Sequence, residues 1–166
     1  SGSMGFTAIR SIGESSSMMA NLSGTSSRQD VDTTDNFESL GFTLAYDTSI
    51  GKHLISPYAM VSRTSYETDA TNRGLILGFG NYYTINDSHA LNYSYSYADS
   101  KNNQNSGHLT ADDTDTISQS VSIGYDFTLN EIFSASAGLG YGDSNAKQDT
   151  NDYENYDLDL RVNFSL

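Results

Sequence analysis

The segment Tyr156 to Leu166, YDLDLRVNFSL, alternates without a break, with Tyr156, Leu158, Leu160, Val162, Phe164 and Leu166 on one parity and Asp157, Asp159, Arg161, Asn163 and Ser165 on the other. A β-strand sends successive side chains to opposite faces, so this is a strand with one apolar and one charged face. By itself it fits either a soluble sandwich, whose polar face meets water, or a membrane barrel, whose polar face meets the lumen. The remaining strands decide between them.

The same period of two recurs upstream. Ile117, Val121, Ile123, Tyr125, Phe127 and Leu129 alternate with Ser118, Ser120, Ser122, Gly124, Asp126 and Thr128. Leu91, Tyr93, Tyr95 and Tyr97 face away from Asn92, Ser94 and Ser96, and Phe133, Ala135, Ala137, Leu139 and Tyr141 from Ser134, Ser136, Gly138 and Gly140. Leu75, Leu77, Phe79 and Tyr83 alternate with Gly74, Gly78 and Gly80, Leu40, Phe42, Leu44 and Tyr46 with Gly41, Thr43 and Ala45, and Met18, Ala20 and Leu22 with Asn21 and Ser23. The segment from Leu54 to Tyr66 is ambiguous. Turning Tyr58, Met60 and Tyr66 outward sends Arg63 inward, the preferred register because a cation in lipid is costly, although it also turns Ser62 and Thr64 outward. Pro57 then belongs near a strand start or bulge, where a missing N–H is tolerated.

Connections alternate in length. Residues 47–52, 86–88 and 130–131 are tight turns, whereas 26–36, 67–73, 99–114 and 142–155 are longer and polar. Short periplasmic turns and long external loops are the pattern of an up-and-down outer-membrane barrel, and a first strand near Ser15 places both termini in the periplasm. The expected architecture is therefore all-β, an eight-stranded antiparallel barrel over residues 15–166, with 1–14 a tag remnant (Ser1 to Met4) and periplasmic lead-in. Within the lead-in, residues 5–14 leave open a linker, a short helix or an early strand. Aromatic residues gather at both strand ends: Tyr46, Tyr58, Tyr83, Phe127, Phe133 and Phe164 at the periplasmic side, Tyr66, Tyr97, Tyr141 and Tyr156 at the external side. Two such girdles mark the two lipid interfaces.

Composition agrees with a barrel and excludes other classes. A net charge of −13 with only 8 Lys and Arg rules out a nucleic-acid partner, and the absence of cysteine rules out disulfides and thiolate metal sites. A mean hydropathy of −0.49 would suggest a soluble or disordered chain. Yet 12 Tyr, 7 Phe, 14 Gly and a single Pro are wrong for disorder, and a barrel needs apolar residues at only every second strand position.

On the closing strand YDLDLRVNFSL the chain resembles the small bacterial outer-membrane barrels of the OmpA or OmpX kind, over about residues 15 to 166. That family's last strand alternates in this way and favours a terminal aromatic; here Leu166 ends the chain, with Phe164 two positions earlier. The segment His53 to Glu67, HLISPYAMVSRTSYE, also resembles a strand of autotransporter-type barrels, which usually have twelve strands. The resemblance implies a bacterial outer-membrane location, with membrane lipid, lipopolysaccharide and the outer-membrane insertion machinery as partners.

Chemistry-bearing residues are few. His53 and His89 fall at the tight turns on the periplasmic side and His108 in a long connection, none at matching parity with a Ser and a carboxylate, so a catalytic triad is not expected. Arg63, Asp126, Asp157, Asp159 and Arg161 are expected to project into the lumen and to pair there, because an isolated charge in a filled eight-stranded interior is costly. That network is either a salt-bridged plug or the lining of a narrow cation-preferring pore. The acidic stretches 111–116 (ADDTDT) and 147–155 (KQDTNDYEN) lack the ligand spacing of a calcium loop, so neither metal nor cofactor is expected. The function expected from these features is non-enzymatic: a cell-envelope scaffold for integrity, or for adhesion to a surface ligand through four acidic loops. The alternative is transport, as a small pore or as the translocator domain of a longer secreted protein.

Overall fold

The computed structural model describes residues 1–28, 36–67, 71–103, 115–130, 132–146 and 152–164. Among these residues nine strands form one sheet in chain order: β1 (Gly2–Ser11), β2 (Ser16–Ser27), β3 (Phe37–Ile50), β4 (His53–Tyr66), β5 (Thr71–Asn86), β6 (His89–Asn103), β7 (Thr116–Thr128), β8 (Phe133–Ala146) and β9 (Tyr153–Phe164). Each pairs antiparallel with its neighbours in sequence. At 10 to 16 residues, all reach or exceed the roughly 9–11 that a tilted strand needs to cross a bilayer.

Strands β2 to β9 are the eight that alternation picks out. β1 adds one strand to the expected eight and is, of the three alternatives left open for residues 5–14, the early strand. Its residues Met4, Phe6 and Ala8 lie opposite Gly24, Leu22 and Ala20 and extend the apolar stripe of β2 by one strand. An odd count has two consequences. β1 and β9 run in the same direction, so joining them would require a parallel pair in a sheet that is otherwise antiparallel, and the described sheet is open between them. The two ends of the described chain also lie at opposite rims, with Gly2 beside Ser26 at the long-connection rim and Phe164 beside Phe133 at the short-turn rim. Two periplasmic termini do not follow from this topology.

The registers assign every strand residue to one of two faces. One face carries Leu40, Phe42, Leu44, Leu75, Leu77, Phe79, Leu91, Tyr93, Val121, Ile123, Leu139, Leu158, Leu160 and Val162; the other is mostly Ser, Gly, Thr, Asn and Asp. Among the described residues no second layer covers the apolar face. Among the described apolar residues only Ala90 is buried, while Ile123 is 53% and Leu139 60% exposed. A soluble sandwich buries this stripe; here it stays exposed, as the lipid-facing side of a membrane barrel does. The chain is accordingly expected to fold only with detergent or lipid and to shift in mobility on heating before denaturing electrophoresis. Monodisperse native β-structure in plain buffer would contradict this.

The register of β4 differs from the expected one. Val61 lies opposite Phe42 and Leu75, and Leu40 opposite Arg63, so Arg63 belongs to the apolar face and Tyr58, Met60 and Tyr66 to the polar face. The stripes of β3 and β5 are unambiguous, and pairing with both fixes the strand between them. Arg63 avoids the cost of lipid burial by standing near the polar rim instead of turning inward. At Pro57 the ladder to β3 lapses between Tyr58 and Ile55, while the pairing with β5 continues.

Candidate lumen face and membrane girdles

The polar face is built from small side chains held by cross-strand hydrogen bonds. Ser94 pairs with Ser122 and Ser96 with Ser120, each at 2.7 Å, and Asn21 donates to Thr7 at 2.7 Å. The β8 contribution is Ser134, Ser136, Gly138, Gly140, Gly142 and Ser144. At Gly78 a Cβ would overlap the ring of Tyr58, which lies across the glycine from the neighbouring strand, so a side chain there requires that ring to move. Gly78→Val is expected to destabilise the fold by about 1–3 kcal/mol through overpacking, and Tyr58→Ala to remove most of that cost in a double-mutant cycle.

Of the charges expected in the lumen, Asp126, Asp157, Asp159 and Arg161 share the polar face, joined by Asp47, which the sequence reading missed although its parity with Ala45 and Thr43 marks it. They do not form one network. Arg161 donates to a single oxygen of Asp159, at 2.8 Å from one terminal nitrogen and 3.2 Å from Nε. Asp126 accepts from Asn92 at 2.9 Å, and Asp157 from Asn155 at 3.3 Å. Arg63 lies on the other face. The polar face thus holds four aspartates against one arginine among the described residues.

Of the ten residues assigned to the girdles, eight stand on the apolar face: Tyr46, Tyr83, Phe127, Phe133 and Phe164 toward the short-turn rim, Tyr97, Tyr141 and Tyr156 toward the other. Tyr58 and Tyr66 follow β4 to the polar face. His53 and His89 join the short-turn girdle, His53 stacking on Tyr83 at 4.6 Å and His89 bonding the Tyr125 hydroxyl. Parity with Ile55 and Leu91 was the available signal for both. His108 and residues 104–114 and 147–151 of the acidic connections, along with Leu166, lie outside the described residues.

No family model and no curated protein matches the chain. Solved structures do. OmpT of Vibrio cholerae, an outer-membrane protein, matches in a loop L8 deletion mutant with a TM-score of 0.74 and 17% identity, covering 95% of this chain and 51% of that one. In-vitro folded OmpT matches with a TM-score of 0.74 at 15% identity, covering 95% and 53%, and its trimer form with 0.70 at 14%, covering 96% and 54%. The chain spans about half the length of the structures it matches. The likeness supports the fold of an outer-membrane β-barrel protein without showing the expected OmpA or OmpX kinship, and it overturns the exclusion of an enzyme. That exclusion rested on histidines that share no parity with a Ser and a carboxylate, which argues against one kind of catalytic site only, and the shared fold belongs to a chain about twice as long and does not forbid catalysis. The chain has the antiparallel up-and-down sheet of an outer-membrane β-barrel protein.

Proposed function

We propose that this sheet is part of the wall of a hydrophilic, cation-preferring pore in a bacterial outer membrane, with the short turns in the periplasm and the long connections outside. The observation that carries the reading is the polar face itself. Side chains fill the lumen of a barrel closed by eight strands, but the polar face of β6, β7 and β8 is mostly Ser, Gly and Asn, which supplies little of that volume and leaves room for water beside the larger Tyr58, Met60 and Tyr66 of β4. The charges agree. Four aspartates against one arginine attract cations, and the contacts of Asp126 and Asp157 are with neutral amides, as suits carboxylates that stay hydrated. A surface-adhesion role would rest on connections largely outside the described residues and has no comparable support.

The test is conductance of the refolded chain in a planar bilayer. Steady, cation-selective openings are expected, and Arg161→Gln should raise the cation preference without loss of the heat-sensitive folded form, because its ion pair with Asp159 is exposed and weak. A silent bilayer, or an Arg161→Gln chain that no longer folds, would replace the pore with a salt-bridged plug.

A further inference from the structure

We infer that Arg63, Arg73 and Lys101 form a binding row for the phosphate groups of an outer-leaflet glycolipid headgroup, an inference that rests on the outer-membrane barrel reading above. The register places Arg63 directly opposite Arg73 and Arg73 directly opposite Lys101, on β4, β5 and β6. Directly opposed side chains on one face stand about 4.5–5.5 Å apart at their Cβ atoms, and like charges so placed repel. The chain has only 8 Lys and Arg at a net charge of −13, and three of them share this one transverse row. Repulsion of that kind is relieved when an anion sits between the cations.

Position and chemistry identify the anion. The row lies on the apolar face at its long-connection end. Two residues toward the short turns the same strands carry Val61, Leu75 and Asp99, and two further Ala59, Leu77 and Tyr97. The cations therefore stand just above the apolar belt and its tyrosine girdle, at headgroup depth, and not in the lumen or on a loop tip. The nearby acids leave the row largely available. Asp99 approaches Lys101 only at 3.9 Å with the lysine 63% exposed, and Glu38 bonds Arg28 at 3.4 Å. Two planar guanidinium forks and an ammonium suit multiply charged phosphate oxygens, which each fork can bind through two hydrogen bonds.

The experiment uses the full chain in phosphatidylcholine nanodiscs and measures retention of bisphosphorylated lipid A against enzymatically dephosphorylated lipid A. Wild type is expected to prefer the phosphorylated form. The triple variant Arg63→Gln, Arg73→Gln, Lys101→Gln should lose that preference by roughly a hundredfold, at about fivefold for each cation near an anionic lipid surface. Lys52→Gln, at the opposite rim, should change nothing. Arg73→Gln alone removes the centre of the row and should cut the preference about fivefold even if the triple variant fails to fold. Equal retention of the two lipids by the inserted wild type, or an unchanged preference in Arg73→Gln, overturns the row alone. Full displacement of lipid A by millimolar inorganic phosphate makes the site one for free phosphate and overturns the headgroup assignment. A chain that does not enter nanodiscs overturns the barrel reading and the row with it.

Discussion

Ile123→Arg is expected to weaken folding into lipid vesicles by about 2–4 kcal/mol, whereas Ser122→Arg on the adjacent residue is expected to change it far less. Ile123 lies between Tyr93 on β6 and Leu139 on β8, in the middle of the apolar band and 53% exposed. A guanidinium there must shed its hydration into hydrocarbon or drag water to mid-bilayer depth. Ser122 lies between Ser94 and Gly140 on the polar face, where a long cationic side chain finds small neighbours and water. The two substitutions add the same charge one residue apart on one strand, so their difference isolates the face. Denaturant titration of both variants in vesicles of one lipid measures it, and equal losses would mean that the apolar face does not meet lipid.

The second large effect concerns ion selectivity. Replacing Asp157 and Asp159 together by lysine converts the described polar-face charge from four aspartates and one arginine to two aspartates and three cations. The net value passes from −3 to +1, and the preferred ion should change from cation to anion. The reversal potential under a salt gradient should change sign, most clearly at low ionic strength, where screening is weakest. Both residues are exposed on β9, so stability should move little. A folded, conducting variant with unchanged cation preference would mean that ions do not pass along this face.

Alternation made most of this legible before any coordinates. Strands β2 to β9, the apolar stripes from Leu40 to Val162 and the polar-face aspartates of β7 and β9 all follow from period two, because a strand residue has only two faces to choose between. Parity fails where both faces are mixed. Leu54 to Tyr66 has polar and apolar residues on each side, and a rule about lipid cost pointed Arg63 inward. Pairing with β3 and β5 pointed it outward, since a slip by one residue would have broken two ladders at once.

The chain by itself therefore determined the period, the turn positions and the acidic balance, which are local properties written in consecutive residues. Tertiary structure alone decided what depends on neighbours distant in sequence. It recruited residues 2–11 as a ninth strand because β2 offered an open edge, it set the register of β4, and it brought Arg63, Arg73 and Lys101 into one row. Each is a consequence of cross-strand hydrogen bonding, which fixes residues tens of positions apart relative to one another and leaves no trace in the spacing of either strand alone.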